Sequence, residues 1–185
     1  MRAITTIGVA SGSFKSKSPN ETTLLVATAL ANFRITRIAI ARIRVDGMDS
    51  TGELLKALGS AKADAILLDG ICHAGFNVLD ARAIWESKGI PVIIISEEEP
   101  DMPSVRRALE KHFPDWRERW RAIRRSGKPS PLELREGEAP IYFKAIGMGS
   151  DRAKALIRYL SVNSKLPEPI RVSKLIARGL TSPKQ

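Results

Sequence analysis

Along the chain, the spacing of apolar and polar residues changes several times, and each change marks an element. Residues 2–10 (RAITTIGVA), 22–32 (TTLLVATALAN) and 34–45 (RITRIAIARIRV) are rich in β-branched and small apolar residues and predict three strands. In the third, Ile and Ala alternate with Arg and Thr, the pattern of a strand with one wet face. Asn32-Phe33 suits a tight connection, so the three are expected to form an antiparallel meander. The stretch from Ala10 to Phe14 reads as a turn, followed by a polar loop from Lys15 to Glu21.

Beyond Val45-Asp46-Gly47 the repeat lengthens. Asp49 or Ser50 can cap a helix running to Leu58, which Gly59 stops. ADAILLDG (63–70) and IPVIIIS (90–96) are unbroken apolar runs of strand length, and between them Asn77 to Lys88 predicts an amphipathic helix. Such strands alternating with helices imply parallel pairing covered on both faces. Pro103 opens a helix to His112, and Pro114-Asp115 a second whose apolar stripe is Trp116, Trp120 and Ile123. A connector rich in Pro, Gly and Glu spans 126–140. A strand (141–148), a helix capped by Ser150 or Asp151 and running to Val162, and a short helix after Pro167 and Pro169 complete the chain. No repeat or linker divides it, so residues 1–185 are expected to form one domain with a helical insertion near 101–126.

Composition narrows the class. Hydrophobic residues make up 43% and charged residues 27%, ordinary globular usage that excludes a disordered or collagenous protein. No apolar run reaches the roughly 18 residues of a membrane span, and no signal-like head is present. Cys72 is the sole cysteine, which excludes an internal disulfide and a zinc-thiolate cage and fits a cytoplasmic protein. One Gln and four Asn stand against thirty Lys plus Arg, the amide scarcity of a heat-loving organism.

The net charge of +10 points to a polyanionic partner, and its distribution is uneven. Met1 to Val45 holds seven basic residues and one acid, Asp46 to Asp101 four basic and eleven acidic, Tyr142 to the end nine basic and two acidic. Clustered carboxylates between basic flanks are what metal-dependent chemistry on nucleic acid requires. Asp69 at the end of the fourth strand is the best-placed carboxylate. Asp46 and Asp49, after the third strand, can present another acid or serve as turn and cap residues. Arg117, Arg121, Arg124 and Arg125 flank the Trp stripe as candidate phosphate contacts. Glu97, Glu98 and Glu99 read as an exposed charge run. His73 beside Cys72 does not make a nucleophile pair, because sequence neighbours seldom meet through their side chains.

Three antiparallel strands followed by α-β-α-β is the order of the ribonuclease H-like α/β fold, a mixed sheet whose first and fourth strands lie parallel and adjacent. LLDGICHAGFNVLD (67–80), VDGMDST (45–51), IPVII (90–94) and KHFPDWRERW (111–120), in this order, resemble the archaeal endonuclease V-like family catalogued as domain of unknown function 99. The resemblance covers most of the chain. It implies an endonuclease V-like, ribonuclease H-like fold; the +10 charge makes nucleic acid (DNA or RNA) the expected partner, and carboxylates at the ends of the first and fourth strands of such a fold would hold Mg²⁺ or Mn²⁺, here at Asp69. The resemblance also marks Ser11, Gly12 and His73 as candidate contacts to nucleic acid, His73 only as a loose counterpart.

One departure bears on activity. Where the family's first strand runs into a Gly-x-Asp-Asp-Gly-like turn, this chain reads Gly8-Val9-Ala10-Ser11-Gly12. Alanine cannot bind a cation, and a serine hydroxyl is a far weaker ligand than a carboxylate. The leading expectation is a nucleic-acid-binding protein whose metal is weakly bound and whose nuclease activity is weakened or lost. The alternatives are an active Mg²⁺-dependent endonuclease using Asp69 with Asp46 or Asp49, and a protein–protein adaptor built on the same fold.

Overall fold

In a computed structural model, which describes residues 3–15 and 21–182, the first three strands are β1 (Thr5–Ser11), β2 (Thr22–Ala31) and β3 (Arg34–Arg44). They form the expected meander: β1 and β2 pair antiparallel from Thr5 beside Ala31 to Ser11 beside Leu25, and β2 pairs antiparallel with β3. Asn32 and Phe33 turn the chain between them with positive φ, a conformation open to Asn. Next come α1 (Ser50–Leu58), β4 (Ala65–Asp69), a small ribbon of β5 (Cys72–His73) and β6 (Asn77–Val78), α2 (Ala81–Lys88) and β7 (Val92–Ser96). The chain ends with α3 (Met102–His112), α4 (Trp116–Arg125), β8 (Ser130–Leu132), β9 (Ile141–Ile146), α5 (Ser150–Leu160) and α6 (Glu168–Thr181).

Seven strands make one mixed sheet in the order β3-β2-β1-β4-β7-β9-β8. β1, β4 and β7 run parallel at its centre, with Val9 beside Leu68 and Asp69 beside Ile95. Strand alternation splits the core in two. Ile7, Val9, Ile66, Leu68 and Ile94 face α1 and α2, whereas Leu67, Ile93, Ile95 and Phe143 face α5 and α6. This is the ribonuclease H-like mixed sheet with helices on both faces.

Several local expectations are corrected. Asn77 and Val78 open no helix, because the Asn77 carboxamide is taken up by Arg44 O, Asp49 and the Ser50 amide, and α2 starts at Ala81 under an Asp80 cap. Ala10 and Ser11 continue β1 instead of turning. Neither Ser150 nor Asp151 caps α5; Gly149 occupies that position, and the helix ends at Leu160. The connector over 126–140 contains edge strand β8, and β9 runs antiparallel to β7. Part of the Lys15–Glu21 loop lies outside the described residues.

α6 is not short, and it packs unusually close to the sheet. It spans 14 residues and rests on β1 through Ile170, Ser173 and Ala177. A β-carbon at position 8 would lie 2.0 Å from the Pro169 carbonyl group, and one at position 12 would lie 2.5 Å from Thr181 Oγ1. The Ser173 hydroxyl donates to Gly8 O at 2.8 Å. Gly8→Ala is expected to cost about 2–3 kcal/mol by overpacking against main chain that cannot yield. Gly52→Ala, in an open stretch of α1, is expected to be neutral or stabilising by about 0.5–1 kcal/mol. Denaturant midpoints of the two variants check the contrast.

Candidate functional site

Parallel strands end together, so the carboxyl ends of β1 and β4 open onto one cleft. Its volume is about 430 Å³, and its lining is mostly polar: Ser11, Gly12, Ser13 and Phe14 from the end of β1, Asp69 and Cys72 from β4 and β5, and Lys174 and Arg178 from α6. A second groove of about 280 Å³, lined by Ile4, Met148, Leu156 and Tyr159, lies toward the opposite ends of the strands and is largely apolar.

The chemistry of the cleft is set by an ion pair. Lys174 Nζ lies 3.1 Å from Asp69 Oδ2 and 3.3 Å from Oδ1, and 3.7 Å from Glu97 Oε1. One residue past the Val9–Leu68 pair come Ala10 and Asp69. Ala10 is fully buried on the face of β1 that carries Gly8, beneath α6, while Ser11 lines the cleft. A divalent ion needs several hard oxygen donors converging on one point. Here a lysine ammonium lies against the Asp69 carboxylate, and the neighbouring strand offers a hydroxyl. Among the described residues, no group of three or more His, Cys, Asp or Glu is arranged to hold a metal. The residues present do not fit a bound Mg²⁺.

Asp46 and Asp49 do not line this cleft; both tie the β3–α1 turn to the β5–β6 ribbon. Asp46, at positive φ, accepts the Phe76 amide at 2.8 Å. Asp49 occupies the N-cap position of α1 without capping it, and accepts instead from Asn77 Nδ2 at 2.6 Å and from Arg44 Nε at 3.2 Å. His73 is buried on β5, not in a loop. Burial lowers its pKa to about 4, against the opposing pull of the Asp69 charge and a hydrogen bond to the Gly70 backbone; among the described residues its Nε2 has no hydrogen-bond partner. Burial pushes the Cys72 thiol up to about 11, partly offset by Lys144 and Arg119, so it is not a ready thiolate. Lys144 is itself buried, its pKa lowered by desolvation, and it donates to Ser126 Oγ at 3.0 Å.

Helix α4 separates its residues by face. Trp116 and Trp120 pack against a satellite core of Val78, Leu109, Ala122 and Ile123, as their spacing predicts. Arg117, Arg121, Arg124 and Arg125 are exposed on the outer side. Arg125 pairs with Asp80 and Glu86, and Arg121 and Arg125 border a groove with Thr51 and Glu118. Arg119 instead turns inward at 4% exposure, donating to Gly47 O, Phe76 O and the Asp115 carboxylate.

Residues 2–181 match the family described as endonuclease dU. The chain belongs to the endonuclease dU family. A relative named UPF0215 protein from Methanothermobacter thermautotrophicus is 34% identical over 180 residues, covering 95% of this chain and 86% of its own. One from Pyrococcus horikoshii is 34% identical, covering 97% and 93%. A crystal structure of a protein of unknown function from Archaeoglobus fulgidus superposes with a TM-score of 0.81 at 21% identity, covering 99% of this chain and all of that one. Endonuclease V from Bacillus subtilis (TM-score 0.62, 12% identity, 97% and 81% covered) and from Ciona intestinalis in complex with an inosine-containing DNA (0.62, 13%, 96% and 86%) share the fold.

Within this endonuclease dU family member, Lys174, Arg178 and Arg119 were not singled out by sequence reasoning. Lys174 and Arg178 stand four apart beside the buried Ser173 and Ala177, a spacing that puts both on one flank of α6. That signal was present in the sequence, but not the strand it faces. Arg119 sits among five arginines of α4, and periodicity did not distinguish it from its exposed neighbours.

The buried His73 has a testable consequence. In the unfolded chain it takes up a proton near pH 6.5, while in the folded chain it stays neutral until about pH 4. Between these values the unfolded state binds more protons, so stability falls as pH falls, by on the order of 3 kcal/mol across the window. Denaturant titrations from pH 7 to pH 4 are expected to show this slope, and His73→Gln to flatten it.

Proposed function

We propose that this chain is a nucleic-acid-binding member of the endonuclease dU family in which metal-dependent hydrolysis is weakened or lost. The observation that carries the reading is the Lys174 ammonium resting on Asp69, where a metal-dependent nuclease would need an ion. Arg178 at the cleft, the exposed arginines of α4 and the net charge of +10 supply the attraction for phosphate. The lone Cys72 agrees with a reducing, cytoplasmic setting.

The family's description favours a second reading, an active endonuclease directed at deoxyuridine in DNA. In that case Asp69 would have to release Lys174 and recruit a second carboxylate, Asp46 or Asp49, each of which is now hydrogen-bonded elsewhere. An adaptor role would draw instead on the free edge of β3, where Ile35, Ile38 and Ile40 are exposed.

Binding to single-stranded and duplex oligonucleotides is expected to persist in EDTA and to weaken steeply with salt. About three phosphate contacts correspond to a log–log slope of about −2 to −3, measurable by fluorescence anisotropy. Cleavage of deoxyuridine- or inosine-containing DNA with Mg²⁺ is expected to be at background. Robust Mg²⁺-dependent cleavage, abolished by Asp69→Asn, would establish the second reading.

The ion pair makes a separate prediction. Removing its cation and adding an acid, as in the double variant Ser11→Asp/Lys174→Ala, leaves the new acid together with Asp69 and Glu97 and no ammonium against them. Mn²⁺ affinity by calorimetry is expected to rise at least tenfold over the native chain.

A further inference from the structure

Among the described residues lining the cleft, Lys174 supplies the amine, and it is held between two carboxylates. Its side chain is 23% exposed, so it is reachable from the cleft, and α6 fixes its position through the tight Ser173–Gly8 contact. Arg178 lies one turn further on, and Phe14 is exposed at the rim. A reachable amine beside a proton acceptor, with a guanidinium one turn away, is the equipment for imine chemistry on a phosphorylated aldehyde.

We propose that this cleft cuts nucleic acid at abasic deoxyribose sites, with Lys174 as the nucleophile and no metal in the step. The proposal rests on the nucleic-acid-binding reading above. An abasic sugar opens to an aldehyde at C1′. The Lys174 ammonium gives up a proton to water, and the freed lone pair attacks C1′, leaving Asp69 Oδ2, 3.1 Å away, free to act as the base at C2′. The carbinolamine regains a proton from solvent and loses water, leaving an iminium ion. A carboxylate, Asp69 or Glu97, then removes a proton from C2′. The C2′–H electrons form a C2′=C3′ double bond as the C3′–O3′ bond breaks, and the phosphate departs with that electron pair at the 5′ end of the downstream strand. The carboxylate returns its proton to solvent. Water hydrolyses the conjugated iminium, releasing an unsaturated aldehyde and restoring the Lys174 ammonium. Arg178 is placed to hold a flanking phosphate, and a cleft of about 430 Å³ falls in the range of small-molecule sites.

The test is borohydride trapping, in which reduction of the iminium leaves a stable amine linking protein to DNA. The full chain is incubated in EDTA with a single-stranded oligonucleotide carrying one abasic site, then reduced, and the adduct is mapped by peptide mass spectrometry. An adduct at residue 174 that falls at least tenfold in Lys174→Arg and is unchanged in Lys154→Arg supports the proposal. Mapping on the native chain keeps the answer clear even if a variant folds poorly. Salt-dependent binding of the abasic strand without any adduct overturns the lysine chemistry and leaves the binding reading intact. An adduct at another amine, insensitive to Lys174→Arg, also overturns it. Neither binding nor adduct at low salt, on single strand or duplex, overturns both.

Discussion

The site depends on how closely α6 lies against β1. Side chains ordinarily hold a helix and a sheet well apart, but Gly8 presents none, and the Pro169–Ile170 main chain fills the space a β-carbon would occupy. The Ser173 hydroxyl then bonds Gly8 O directly. This contact fixes the position of the residue that follows, so Lys174 meets Asp69 on the adjacent strand. Ala10 and Gly12 extend the row of small residues beneath the helix. The same geometry shapes the chemistry: an acid at position 10 would have to sit under α6, in space the helix now covers.

A second device ties the loops beside the cleft to the framework. Arg119 reaches from α4 to two carbonyl oxygens, Gly47 O in the β3–α1 turn and Phe76 O in the β5–β6 ribbon, while Asp115 balances its charge. Asn77, Asp46 and Asp49 bond the same two segments to each other. Buried polar groups are costly unless paired, and these are paired with main chain, which makes the network specific to one arrangement. Two of the three carboxylates that the sequence offered for catalysis are thereby engaged in holding the turn.

The electrostatics of the cleft follow from the same placement. A lysine ammonium between Asp69 and Glu97 supplies the positive charge that a divalent ion would bring to two carboxylates, but with one charge unit fewer and without a Lewis-acid centre. On the proposal above, what it offers in exchange is an amine nitrogen that can attack a carbonyl carbon once its proton is lost. Arg178 lies outside this pairing, whereas Arg125 on α4 is itself paired with Asp80 and Glu86 from the acidic middle of the sequence.

The meander of β1 to β3 and the parallel placement of β4 beside β1 were legible in the sequence because their signals are local, whereas the antiparallel β9–β8 edge was not. The alternation in 34–45, the unbroken apolar runs at 63–70 and 90–96, and the Asn32-Phe33 turn each identify an element from its own residues, and right-handed parallel connections leave few ways to assemble them. The position of Asp69 at a strand end before Gly70 was legible for the same reason. The α6 signal was partial: Lys174 and Arg178 could be placed on one flank of a helix, but nothing local says that this flank faces Asp69, 105 residues away. The inward turn of Arg119 and the capture of Asp46, Asp49 and Asn77 by each other's loops likewise arise only when distant segments meet. Periodicity reports which face of an element is buried; which partner lies opposite a polar residue is decided by tertiary packing, because hydrogen bonds and ion pairs act over a few ångströms in space and carry no signature along the chain.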